Sequence, residues 1–291
     1  MTEVKAAGGG SPLPADGRAR GIDEMLLRTL GAGFIVFVVL YIAIPISVTI
    51  VMSLNDAAMI RFPISHWSIR WYRDFFASPQ WVDSLNNSLT IAMGTTMIST
   101  SCGVLAAWVF ERYDFRGKSL LYLAVTMPLF MPGVVLGLGV AIAFGGITIG
   151  GFNLYGSRAL VMLAHSLWAI PLVFMVMEAT FRTVDYRIVE ASYDLGGRPF
   201  RTFFEIVLPA VSTGVVSSGL FAFVISLNEF VMSLFLTNRD TQTLPVLMWL
   251  SLRSAGTPRL AVAAVVLAGA VFASLTLILL WYVAHLRRAS R

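Results

Sequence analysis

Charged residues are scarce in this sequence: Asp, Glu, Lys and Arg make up 13% of its 291 positions, whereas 57% are hydrophobic. An ordinary soluble domain carries about 25% charge, and a chain this apolar cannot cover its hydrophobic surface with polar side chains. Cysteine is scarcer still. The single Cys102 lies inside an apolar block, which excludes an intrachain disulfide and a cysteine metal site. The three histidines, His66, His165 and His285, sit far apart without metal-ligand spacing. The phosphate-binding loop of an ATPase, G-x-x-x-x-G-K-[ST], is missing as well. Gly117-Lys118-Ser119 imitates its end, but Arg112 stands where the first glycine belongs. Catalytic motifs for an intramembrane enzyme are lacking, so no enzyme is expected. The net charge is +5, yet the basic residues occur singly and never as a tract, which argues against nucleic acid and for topology control.

What is present is a series of long uncharged blocks. A membrane-spanning helix needs about 20 apolar residues. Six intervals qualify: Thr29 to Asn55, Ser84 to Phe110, Ser119 to about Phe144, Ala159 to Met177, Ile206 to Asn228 and Leu260 to Leu286. The expected fold is an all-α membrane protein of six transmembrane helices. Residues 1–24, rich in Gly, Pro and charge, read as a disordered cytosolic tail. The membrane-spanning domain is then expected to cover 25–287. The first block is too long for a signal-peptide core and is expected to stay as an anchor. The glycine-rich stretch after Phe144 reads as a connection.

Lys and Arg between the blocks set the orientation. With a cytosolic N-terminus, the inner segments hold 14 of them and the outer segments 7, so both termini are expected inside. The first outer loop, Asp56 to Asp83, carries Trp67, Trp71, Tyr72, Phe75, Phe76 and Trp81. Those aromatics suit either an interfacial helix or a docking surface. In the third span, Pro128, Pro132 and Gly133-x-x-x-Gly137 fit close helix packing as well as a bend that lines a pathway. Uncharged span interiors argue against an ion-coupled secondary transporter, which would bury acidic or basic groups.

The chain's closest-set charges lie between the fourth and fifth spans, in the loop 178–208. Within it, Ile188, Ala191, Ser192 and Leu195 recur at i, i+3, i+4 and i+7, the spacing of an amphipathic helix. Gly196-Gly197 ends that helix and Pro199 opens a second one, where Phe200, Phe203, Phe204 and Val207 repeat the spacing. The loop therefore reads as helix, glycine elbow, helix.

Glu190-Ala191-Ser192, three residues, Gly196, nine residues, then Ile206-Val207-Leu208-Pro209 resembles the EAA motif of the inner-membrane permeases of ATP-driven, binding-protein-dependent importers. The family pattern is E-A-A, three residues, G, nine residues, I-x-L-P. Ser192 in place of the second Ala is the one departure. The resemblance implies a type I importer fold and a coupling loop seated in a groove of the ATPase. It marks Glu190, Ala191, Ser192, Gly196, Ile206, Leu208 and Pro209 as coupling residues. It also implies partners: an ATPase dimer, a second permease subunit that makes a heterodimer, and a periplasmic solute-binding protein. ATP and Mg would sit on the ATPase, with no cofactor on this chain.

Trp71-Tyr72-Arg73, Asn87-Ser88-Leu89, Pro128 with Pro132-Gly133, Asn228-Glu229-Phe230-Val231 and Thr243-Leu244-Pro245-Val246 are similar to the spermidine/putrescine branch. Asn228 and Glu229 follow the fifth span at its outer end. The Glu229 carboxylate either lies exposed at the headgroup level or lines the pathway and attracts a cationic solute. The charge bias gives a direct test: a cysteine at position 70 should react with a membrane-impermeant reagent applied from outside, and one at position 198 should not. The reverse pattern would invert the topology.

Overall fold

The computed structural model describes residues 17–59, 63, 64 and 66–289. Residues 1–16 of the expected tail, and Arg61 and Arg291 of the charge count, lie outside them. Two units are distinguished, one ending at Val51 and one from Met52 onward. The described part of the first unit is all helix, belonging to α1 (Gly17–Ser53), whose apolar part, Met25–Ser53, exceeds the length needed to span a membrane. It starts eight residues before the boundary expected at 24, as residues 18–28 contain no proline and are mostly good helix formers.

The second unit begins with the short helix α2 (Arg70–Ala77), followed by α3 (Pro79–Arg112) with its proline in the first turn. Next come α4 (Lys118–Thr126), a 3₁₀ turn at Met127–Phe130 and α5 (Gly133–Phe144). The third span is therefore not one helix, as expected, but a pair bent by 107°. Pro132 is the physical cause, because it lacks the N–H that would continue the ladder and its ring clashes with the preceding turn. The connection after α5 forms a small hairpin, β1 (Thr148–Ile149) and β2 (Phe152–Asn153), rather than an irregular loop. Its turn residues, Gly150 and Gly151, both have positive φ, 57° and 84°, as a two-residue hairpin turn requires.

The helix α6 (Arg158–Phe181) is capped by Ser157, whose Oγ accepts from Leu160 N at 3.2 Å. After it come α7 (Tyr186–Asp194), α8 (Pro199–Thr202), a π-helical turn at Phe203–Val207 and α9 (Leu208–Ala210). The chain then bends by 77° into α10 (Ser212–Asn228). The remaining elements are α11 (Val231–Leu236), α12 (Leu244–Ala255) and α13 (Arg259–Ala289). Four helices among the described residues are long and apolar enough to cross a membrane, and counting each bent pair as one span gives six.

In the second unit, α3, α6 and α10 form the central packing trio. Glycines set their separation. A Cβ added at Gly103 of α3 would lie 2.6 Å from Val173 Cγ1 and 3.2 Å from the Phe174 backbone nitrogen on α6. One added at Gly214 of α10 would lie 2.5 Å from Thr180 Oγ1. Such contact suits a membrane, where helices gain little from hydrophobic association and rely on close packing.

Three apolar clusters follow one another along α3. One, at its C-terminal end, joins Phe110, Phe174, Phe181, Val189, Phe203 and Val207; the middle one joins Ile91, Val140, Val161 and Met232. The third, at its N-terminal end, contains Trp71, Phe75, Trp81, Leu244 and Leu260. Much of the aromatic loop is thus core, while Trp67 and Phe76 remain exposed. Motifs far apart in sequence meet here: Asn87 Nδ2 donates to the Asp240 and Gln242 carbonyls, at 2.9 and 3.1 Å, and Ser88 Oγ accepts from Leu244 N at 2.7 Å.

Gly103→Leu is expected to force α3 from α6, costing about 1–3 kcal/mol as overpacking does. The midpoint of thermal unfolding in detergent should fall, and Val173→Ala in the same chain should restore part of the loss. An unchanged midpoint would show that Gly103 does not set the spacing.

Candidate functional site

The loop between α6 and α10 folds as an elbow whose every turn has a local cause. Asp185 caps α7, its Oδ1 accepting from Arg187 N at 3.0 Å. At the other end Gly196 takes φ 82°, donating from its N–H to the Tyr193 carbonyl at 2.9 Å, while Gly197 N reaches the Ser192 carbonyl at 2.8 Å. These two bonds are a Schellman closure, which needs the left-handed residue that glycine supplies. The departure from the family pattern is built into the elbow, since Ser192 Oγ lies 2.9 Å from Thr202 Oγ1 of α8 and ties the two helices together. Gly197 permits that approach: a Cβ there would stand 2.5 Å from Ser192 Oγ and 3.0 Å from Thr202 Oγ1.

Beyond α8 the ladder widens, with Leu208 N donating to the Phe203 carbonyl. Pro209, inside α9, brings no N–H of its own, and the 77° bend follows at Val211. The Ile-Val-Leu-Pro segment therefore acts through geometry. Val207 is buried, Ile206 and Leu208 are half-buried and Pro209 is exposed.

The elbow is fastened to the membrane helices by aromatic packing that sequence spacing did not reveal. Trp108 of α3 lies between Phe181 of α6, Tyr186 of α7 and Phe203, with ring centroids 5.4, 6.2 and 5.5 Å away. Val189 is fully buried beside them. Burial raises the Tyr186 phenol above its ordinary range, Glu111 adds to the rise and Arg112 opposes it, so the ring stacks in its neutral form. Arg182 pairs with Glu178 at 2.6 Å and with Glu111 at 3.6 Å, an exposed link between the ends of α6 and α3. The only sequence signal for Trp108 was a large aromatic close to the end of a span.

The face defined by Ile188, Ala191, Ser192 and Leu195 does not pack inward. Ile188 is 57% exposed, Leu195 90% and Phe200 82%, and Ala191 and Glu190 are exposed too. Ile188, Ala191, Ser192, Leu195, Gly196 and Ile206 line one open depression of about 400 Å³ with Arg201, Thr202 and Glu205 on its wall. The elbow thus leaves an apolar helix face exposed while its opposite side is packed.

Of the four expected pathway residues, Pro128 and Pro132 flank the break between α4 and α5, and Asn228 and Glu229 form the break between α10 and α11. The structure brings these breaks together. A Cβ at Gly133 would lie 3.5 Å from Val231 Cβ, and one at Gly137 would lie 3.1 Å from Met232 Cα. Asn228 is exposed and donates to the Val224 carbonyl at 2.8 Å. Glu229 is buried, and its Oε1 accepts from Met232 N at 2.6 Å. It therefore does not lie open at a headgroup level.

Apolar helices, four long enough to span a membrane or six with each bent pair counted as one, carry an elbow with an exposed apolar face, the architecture of a multi-pass membrane protein. The chain belongs to the family described as binding-protein-dependent transport system inner membrane component, whose sequence model matches residues 99–291. It is therefore an inner-membrane protein. Among curated proteins it is 30% identical to the putrescine transport system permease protein PotI of Escherichia coli (strain K12), over 78% of this chain and 81% of that one. It is 27% identical to the spermidine/putrescine transport system permease protein PotC of the same strain, over 76% and 82%. Its fold is that of a chain in a bacterial ABC transporter involved in the import of the acidic polysaccharide alginate, with TM-score 0.69, 15% identity, and 94% and 98% of the two chains covered.

Gly196→Pro is expected to abolish uptake while the amount of membrane-inserted chain stays near wild type. Proline can neither adopt a positive φ nor donate the bond to Tyr193. Immunoblots of membranes and uptake assays in the same cells decide this, and normal uptake would remove the elbow from the mechanism.

Proposed function

We propose that this chain is the membrane subunit of a polyamine importer, and that its elbow receives the stroke of a separate ATPase. The observation that carries the coupling role is the exposed apolar face of the elbow, backed by the Trp108 packing. In this reading both termini and the elbow lie in the cytosol, as the Lys and Arg bias implies. A second permease chain completes the pathway. The ATPase dimer holds ATP and Mg²⁺, and a periplasmic binding protein delivers the solute. Closure of the ATPases draws the elbows together, and α3 and α6 turn that displacement into outward opening.

Polyamine is favoured because the curated relatives named above carry putrescine or spermidine/putrescine in their names, and because of the setting of Glu229. Among the described residues no ion pair involves its carboxylate, which is oriented by a backbone N–H rather than neutralised by a basic side chain. A carboxylate so held can accept from an ammonium group in the pathway.

Glu229→Gln keeps an oxygen for Met232 N and removes the charge. Uptake of radiolabelled putrescine should fall about tenfold or more, as a charge-assisted contact of about 1.5–3 kcal/mol predicts, at unchanged membrane expression. Glu229→Asp should be milder. A partner binding protein that captured an anionic solute and ignored spermidine and putrescine would sink the polyamine assignment and leave the permease assignment standing.

A further inference from the structure

The imidazole of His165 plays no part in the elbow, yet it bridges the break between α10 and α11. Its Nδ1 lies 2.8 Å from Ser226 Oγ on α10, and its Nε2 lies 2.9 Å from Ser233 Oγ on α11. Ser233 Oγ in turn donates to the Glu229 carbonyl at 3.1 Å. A hydroxyl has a single proton, so Ser233, having given its own to Glu229, must accept from Nε2–H. A neutral imidazole has one N–H, which leaves Nδ1 to accept from the Ser226 hydroxyl. The result is one directional chain from Ser226 through His165 and Ser233 to the backbone of Glu229.

The surroundings make this chain costly to break. His165 is 2% exposed, Ser226 4% and Ser233 0%, and a lost partner there is not replaced by bulk water. A helix as short as α11, Val231–Leu236, cannot sustain itself and depends on what it packs against. Close approach of Gly137 holds it at Met232, and the His165 chain holds it at Ser233.

We propose that His165 is a positioning residue for solute passage: it splints the Asn228–Glu229 break to α6 and thereby sets where the Glu229 carboxylate stands. The same helix ends at Phe181 in the aromatic packing under the elbow, so a displacement of the elbow end of α6 reaches the break through the imidazole. This inference rests on the transport reading, and only its second test uses a polyamine.

His165→Phe keeps a ring and removes both bonds, Ser233→Ala removes the link to α11, and Ser233→Thr retains the hydroxyl. In the purified full-length chain, hydrogen exchange over 226–236 should accelerate about tenfold in the first two variants. It should stay near wild type in Ser233→Thr, and exchange over 186–207 should not change. In cells, the KM for putrescine should rise about fivefold in the first two variants while the maximal rate stays within about twofold of wild type. Unchanged exchange over 226–236, acceleration along the whole chain, or an unchanged KM with accelerated exchange would each overturn the role. Should the wild-type chain import no putrescine, the polyamine reading fails and the exchange result alone decides this one.

Discussion

The structure depends on one aromatic junction. Trp108 fills the space where the C-terminal ends of α3 and α6 meet the elbow, and Phe181, Tyr186 and Phe203 close around it. Aromatic pairs at such distances add about 0.5–1.5 kcal/mol each beyond their buried area. Their greater consequence is mechanical, because flat rings packed in stacked and tilted pairs leave the elbow little freedom to slide independently of the two helices. Without that junction the exposed face of α7 would be an amphipathic hairpin on a loose tether. With it, the elbow is packed against α3 and α6.

Bilayer physics accounts for the rest of the architecture. In hydrocarbon the backbone must satisfy its own hydrogen bonds, so breaks in a spanning helix survive only where protein covers them. Here the break at Pro132 and the break at Asn228–Glu229 lie against one another, and Gly133 and Gly137 admit Val231 and Met232 between them. Side chains finish the work: Glu229 caps α11, Asn228 returns to the Val224 carbonyl, and His165 spans the gap. Shielded irregular backbone of this kind is where membrane transporters place solute contacts.

The sequence made some of this legible and hid the rest. Uncharged runs located the apolar segments, and the glycine, proline and apolar spacing at 188–209 located the elbow with its turn residues. The break in the third span was foreshadowed by Pro132, but a count of apolar residues cannot tell a bent pair from a straight helix. Periodicity also assigned the face of Ile188 and Leu195 without revealing that it points away from the fold, because a face built for a partner and a face built for a core have the same spacing. Trp108 showed only as an aromatic near the end of a span, His165 only as an isolated histidine, and Ser233 not at all. Their partners lie from tens of residues to nearly a hundred away, and only the packing of α3, α6 and α10 brings them together.

In the proposed coupling, the exposed side of the elbow meets the ATPase while its buried side holds the membrane helices. The direct measurement is site-specific photo-crosslinking in the assembled transporter, with the reactive side chain placed in turn at positions 195, 200, 189 and 207. Positions 195 and 200 should crosslink to the ATPase subunit, while positions 189 and 207, both buried, should give only crosslinks within the chain. Failure at 195 and 200 with the ATPase present and active would contradict the account.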